Sequence, residues 1–319
     1  MVITYIALLL LCCLAIYVAG GWVTDGLTRI AKFLGWKEFV VAFMVMAVAG
    51  SLPNLFLGIL TAINGVPELS FGDVVGGNVV DMTFVIALAA LFAKNGVPAK
   101  GRVVQTSSLF TAGAAILPLV LFLDGNISRP DGVVLIVFFL VYVIWLFSKK
   151  ERFTKVYNHY KVPLRQRFRV FMADLVRILA GVAVIIGVAQ TVIYVAETMS
   201  RELELPLAFV GIIILGLGNS IPELYFGVAS ARKGETRMIL GDLMGAVIIP
   251  ATFVLGVVVL IRPIIIADFS MFVMARYFLL VATLFFYVFV RTDQKITKRE
   301  AVFLLAIYVT FLIVEIFVS

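Results

Sequence analysis

The chain alternates between long apolar runs and short polar or basic segments. A helix needs roughly 20 apolar residues to span the hydrocarbon core of a bilayer. Runs of that kind lie at residues 2–20, 38–63, 72–94, 103–123, 131–148, 171–196, 206–231, 238–261, 268–290 and 299–318. The pattern predicts an all-α integral membrane protein with ten transmembrane helices. Between the first two runs, Trp22–Trp36 carries Arg29 and Lys32 among apolar residues, which predicts a short amphipathic helix along the interface. The first run has no basic leading segment and no cleavage site, which favours a retained helix over a signal peptide.

Composition sharpens this reading. Of 319 residues, 63% are apolar and 14% are charged, and a soluble chain of this length needs far more polar surface. The net charge of +7 does not point to nucleic acid, because the basic residues concentrate in short segments between the runs. With ten spans the loops alternate sides. Arg129, Arg201, Arg262 and Arg276 then fall on one side, and all the rest of the 26 Lys and Arg residues fall on the other. The positive-inside rule puts the richer side in the cytoplasm and both termini outside. The basic segment 149–169 contains His159, the only histidine. It is either a connector that fixes topology or a regulatory segment attracted to anionic lipid. Cys12 and Cys13 are adjacent within an apolar run and imply no disulfide framework. Asn126 begins a glycosylation sequon on the expected outer side.

The chain repeats itself. Residues 51–58 read SLPNLFLG and residues 220–227 read SIPELYFG, an offset of 169 positions. The same offset aligns Gly65 with Gly234, Gly72 with Gly241, Asp73 with Asp242 and Gly76 with Gly245. The expected organisation is a first five-helix repeat over 1–148, a basic cytoplasmic linker over 149–169, and a second repeat over 170–319. Five is odd, so the second copy enters the membrane from the opposite side. Inverted repeats with a substrate site near the midplane are a common transporter architecture.

Polar residues interrupt the runs at matching places. Pro53 and Pro222 lack the N–H that would bond the carbonyls of Ala49 and Gly218. Ser51 and Asn54 share one helix face, as do Ser220 and Glu223. Hydroxyls, amides, a carboxylate and loosened carbonyls are the oxygen donors that hard cations take. In the third span of each copy, Gly72 with Gly76 and Gly241 with Gly245 form GxxxG pairs that let helices approach closely. Asp73, Gly77 and Asp81 form one stripe, matched by Asp242, Ala246 and Pro250. A carboxylate at the bilayer centre costs on the order of 2.5–3.5 kcal/mol on insertion scales. Asp81 and Glu223 therefore read as a cation or proton site. Asp73 and Asp242, each after a glycine at the start of a span, read either as helix caps or as auxiliary acids.

At these residues the chain resembles the sodium/calcium exchanger family, within the cation/calcium exchanger superfamily. The resemblance implies two inverted five-helix halves, each with a T-S-L-P-E-like motif followed by G-N-x-x-G-S-N-x-x-N or -D. Here the motifs read Gly50-Ser-Leu-Pro-Asn54 with Gly72-Asp-Val-Val-Gly-Gly-Asn-Val-Val-Asp81, and Asn219-Ser-Ile-Pro-Glu223 with Gly241-Asp-Leu-Met-Gly-Ala-Val-Ile-Ile-Pro250. Glu223 matches a motif glutamate that coordinates calcium in the family. Asn54 stands in the place of the other. Asp81 matches the Asn/Asp that helps bind sodium or protons, and Pro250 replaces its partner. Gly77, Ala246 and Val247 also replace family oxygen ligands.

The expected function is a cation antiporter with the lipid bilayer and transported cations (calcium, sodium or protons) as its only implied partners and no covalent cofactor. Glu223 and Asp81 are the expected charged ligands, with Asn54, Ser51, Ser220 and Asn219 as neutral ones. Two alternatives stand beside it: an exchanger of a monovalent cation against protons, and a non-transporting sensor or scaffold whose site has decayed. No nucleophile–base pair or His-rich metal motif suggests an enzyme.

Overall fold

A computed structural model of the chain describes residues 2–33, 51–148, 164–204, 207–234, 236, 239–266 and 270–318. The first half of the second expected span (38–50), with the Ala49 carbonyl, lies outside the described residues. So does most of the expected linker (149–163), with His159.

The helices are α1 (Val2–Phe33), α2 (Leu52–Asn64), α3 (Pro67–Val80), α4 (Ile86–Phe92), α5 (Arg102–Leu121), α6 (Arg129–Ser148) and α7 (Leu164–Leu203). The second half of the chain adds α8 (Leu207–Val210), α9 (Gly216–Asn219), α10 (Ile221–Lys233), α11 (Ile239–Ile249), α12 (Leu255–Ile261), α13 (Ser270–Arg291) and α14 (Lys298–Val318). Among the described residues, three π-helical segments, Asp81–Val85, Gly211–Leu215 and Pro250–Val254, join α3 to α4, α8 to α9 and α11 to α12. Among the described residues, eight helical stretches are long and apolar enough to cross a membrane, and α2 is a shorter apolar helix. The 21 residues of α14 reach about 30 Å at 1.5 Å per residue, which supplies another crossing.

One expectation is overturned. Trp22–Phe33 is not a separate interfacial helix but the continuation of α1. The segment has no proline to stop it, and α7 holds it in place. A Cβ on Gly26 would meet Ile178 and the Asp174 carbonyl, and one on Gly181 would meet Val23 and the Ala19 carbonyl. The two helices are thus in near-backbone contact, and Arg29 Nε lies 2.7 Å from Asp174 Oδ1. Packing against a partner outweighs the modest helix cost of Gly20, Gly21 and Gly26.

The repeat seen in the sequence recurs element by element. At the offset of 169, α2 coincides with α10, Asp81–Val85 with Pro250–Val254, and α4 with α12. The starts of α2 and α10 match in detail: Ser51 has φ −88° and ψ −3°, and Ser220 has φ −86° and ψ −1°. Gly65 and Gly234 end the two helices at φ 90° and 81°, a left-handed position where glycine carries no Cβ penalty. The π segments leave carbonyls that threonines then cap. The Thr83 hydroxyl donates to the Val79 carbonyl, and Thr252, its counterpart, donates to Ile248 at 2.5 Å.

Four two-residue strands among the described residues reveal the orientation of the copies. β1 (Val97–Pro98) pairs antiparallel with β4 (Lys295–Ile296), and β2 (Asn126–Ile127) pairs antiparallel with β3 (Ile264–Ile265). In each pair, the loop between the third and fourth spans of one copy meets the loop between the fourth and fifth spans of the other. Loops separated by one span cannot lie on the same side of the membrane. Equivalent loops of the two copies are therefore at opposite ends, as inverted repeats require.

The copies meet at glycines. A Cβ on Gly76 would sit 2.0 Å from the Ile212 carbonyl oxygen, one on Gly211 2.5 Å from that of Leu69, and one on Gly216 2.6 Å from the Gly77 nitrogen. The α3 backbone thus lies directly on the Gly211–Asn219 backbone, the close approach that small residues permit. Gly76→Ala should destabilise the purified protein by about 1–3 kcal/mol through overpacking. Gly187→Ala, where nothing lies within 4 Å, should leave the thermal unfolding midpoint nearly unchanged. Equal midpoints for the two variants would contradict this interface.

Candidate cation site

In the second copy, α9 and α10 are placed end to end at Ser220, and in the first copy α2 starts directly after Ser51. The Leu55 N–H donates to the Ser51 carbonyl and the Leu224 N–H to the Ser220 carbonyl, both at 3.0 Å, so a new helix starts at once. Pro53 and Pro222 fall in the first turn, where no intrahelical donor is needed. Asn54 and Glu223 therefore stand in the first turn of α2 and α10, near the positive end of the helix dipole. Ser220 and Glu223 have the spacing of a capping box. Neither Ser51 nor Ser220 makes a side-chain cap, and Glu223 Oε2 is buried with no hydrogen-bond partner.

Asn54, Ser220 and Glu223 face a small cavity of about 20 Å³, lined also by Asp73, Asp81 and Asn219 together with Gly77, Asn78, Ala246 and Pro250. That volume holds about one water-sized particle. Asp81 is only 4% exposed, and its Oδ1, like Glu223 Oε2, lacks a partner. Ser220 is the hydroxyl that faces it. Two buried carboxylates with vacant oxygens around one water-sized space need a proton or a cation as compensation. Pro250 adds a main-chain contribution: it leaves the Ala246 carbonyl without its α-helical donor. Among the described residues, no three His, Cys, Asp or Glu side chains converge closely enough to hold a metal by themselves. A cation here depends on amide, hydroxyl and carbonyl oxygens as well.

Asp73 is not a helix cap. It lies inside α3, is 7% exposed, and accepts the Asn219 side-chain amide at 2.8 Å (Nδ2 to Oδ1). Its counterpart Asp242 does lie in the first turn of its helix and is half-buried. Ser51 and Asp242 do not line the small cavity. They line a larger vestibule of about 310 Å³, which also touches Asn54, Asn219 and Glu223. Its α1 wall runs from Cys13 to Asp25, about 18 Å at 1.5 Å per residue. The exposed Asp25 lies at the end of α1 that carries Arg29. On the opposite side of the break, the glycine contacts of α3 and the Asp73–Asn219 bond fill the approach. Asp25 and Asn78 were not singled out from the sequence. Asn78 lies inside the second motif, whereas Asp25 is a lone acid that no motif marks.

A family profile described as sodium/calcium exchanger protein matches residues 4–148 and 174–317. The chain belongs to the sodium/calcium exchanger family. It is 25% identical over 309 residues to an uncharacterized membrane protein of Methanocaldococcus jannaschii, covering 97% of both chains. It is 24% identical over 329 residues to the sodium/calcium exchanger MaX1 of Methanosarcina acetivorans, covering 91% of this chain and 92% of the relative. Its fold is similar to that of the sodium-calcium exchanger NCX_Mj soaked with 10 mM Na+ and 10 mM Sr2+, with a TM-score of 0.64, 23% identity and 98% of each chain covered. Exchangers of this family are transporters, and the chain shares their multi-pass membrane fold.

The Asp73–Asn219 pair gives a test of the site's internal support. Asn219→Ala leaves a buried carboxylate unpaired and should lower stability by about 1–3 kcal/mol. In the Asp73→Asn background, where no charge is stranded, the same change should cost less. A double-mutant cycle on thermal unfolding reads the difference, and additive effects would show that the bond does not couple the two helices.

Proposed function

We propose that the protein is a secondary-active cation antiporter that exchanges calcium against sodium or protons by alternating access at the cavity between α2, α3, α10 and α11. Glu223 and Asp81 are its charged ligands. Asn54, Ser220 and Asn219 supply neutral oxygens, Ser51 does so from the vestibule side, and Asp73 and Asp242 are auxiliary acids. The observation that carries this reading is the pair of vacant buried carboxylate oxygens, one from each repeat, on a single water-sized cavity. Two negative charges match one divalent cation or two monovalent ones. The vestibule reaches the cavity from the end of the bundle that carries Arg29, Arg232 and Lys233. By the distribution of basic residues this is the cytoplasmic end, with both termini outside. The structure then represents a state facing the cytoplasm. Residues 1–148 and 170–319 serve as the two transport repeats and 149–169 as their linker.

A second reading, exchange of a monovalent cation against protons, is favoured by Asn54. An amide there leaves Asp81 and Glu223 as the only carboxylates with a vacant oxygen at the cavity, Asp73 being bonded to Asn219.

Radiolabelled calcium uptake into proteoliposomes under an outward sodium or proton gradient tests the proposal. Uptake should follow the gradient, and Glu223→Gln should lower it by at least about tenfold, equivalent to about 1.4 kcal/mol of lost cation binding. Absence of gradient-dependent uptake of any cation would remove both readings. Asn54→Glu should shift competition among cations towards calcium by about tenfold. A variant with unchanged selectivity would show that Asn54 is not a ligand.

A further inference from the structure

On the face of α10 turned away from the cavity lies an open groove of about 560 Å³, bounded across from it by Leu88 of α4. Its floor is Ile221, Leu224, Tyr225 and Val228, at the i, i+3, i+4 and i+7 spacing of one helical face. Arg232 and Lys233 close one end. From Ile221 to Arg232 the helix rises about 16 Å, close to half of a hydrocarbon core of about 30 Å. The groove therefore starts at the broken point of the span, near mid-membrane, and ends one leaflet away at two cations. The Arg232 guanidinium lies 4.6 Å from the centroid of the Phe92 ring. Among the described residues neither Arg232 nor Lys233 is in an ion pair. The equivalent helix of the first repeat ends instead in Ile63 and Asn64, so the repeat fold does not itself require charge at this position.

We propose that this groove binds one anionic phospholipid, its acyl chain along Ile221–Val228 and its phosphate headgroup on Arg232 and Lys233. Length and charge complementarity select this occupant. The groove has the depth of one leaflet, and its cations stand at headgroup level, where each contributes attraction to acidic lipid. Stacked on Phe92, the guanidinium keeps its N–H groups at the ring's edge free for phosphate oxygens. Tyr225 lines both this groove and the vestibule. A bound chain would therefore form part of the wall behind which Glu223 stands, on the same helix.

The test is lipid binding itself, which does not depend on transport. The detergent-purified full chain is titrated with phosphatidylglycerol or phosphatidylcholine, and bound lipid is counted by native mass spectrometry. Phosphatidylglycerol should bind on the order of tenfold more tightly, given the attraction of two basic residues. Arg232→Gln with Lys233→Gln should abolish that preference. Lys295→Gln with Lys298→Gln, which removes the same charge from the same end of the bundle outside the groove, should retain it. Equal binding of the two lipids by the parent, or equal loss of preference in both double variants, would overturn the proposal, the second result showing only diffuse surface charge. Loss of transport with retained lipid preference would instead count against the antiporter reading alone.

Discussion

In a bilayer, a backbone group that loses its helical partner finds no water to replace it. A spanning helix is broken only where protein or a polar cavity receives its loose ends. That constraint organises this molecule. The start of α2 at Ser51, the break at Ser220 and the π segments at Asp81–Val85 and Pro250–Val254 all lie buried in the bundle. Threonine hydroxyls receive two of the altered carbonyls. Gly77, Ser220, Ala246 and Pro250 beside these segments line a cavity that also carries acids and amides.

Fold symmetry and chemical asymmetry therefore coexist. The two copies correspond in their helix starts at Ser51 and Ser220, their π segments and their terminal glycines, because these are backbone solutions to one problem. Their side chains diverge where they touch the cavity. Asn219 bonds Asp73, while in the sequence the first copy carries Gly50 at the position equivalent to Asn219. One carboxylate comes from a π segment and the other from a helix start. Asp81 and Glu223 thus approach the same space from unrelated local geometries.

The sequence made the repeat, the span pattern and most residues of the cavity legible, because the apolar runs are long and the polar interruptions are few. Other features were hidden for identifiable reasons. A π segment inside an apolar run changes hydrogen bonding without changing hydropathy. The strand pairs involve two residues each, too few for any alternation to register. The extension of α1 beyond Trp22 depends on Gly26 meeting Ile178 and Gly181 meeting Val23, each across more than 150 positions of chain. Asp73 looked like a cap because it follows Gly72, and only the partner on α9 places it at the heart of the bundle. Asp25 carries no pattern at all, since its significance comes from the α1 face it shares with Cys13.

The two strand pairs have a mechanical meaning. Each joins a loop of one copy to a loop of the other, and the two joins lie at opposite membrane surfaces. The halves are laced together top and bottom. Spreading them apart like the covers of a book would tear one lacing whichever surface opened. Any exposure of the cavity that keeps both intact must come from sliding or tilting of spans that carry neither seam, leaving the laced frame as the fixed reference against which they move.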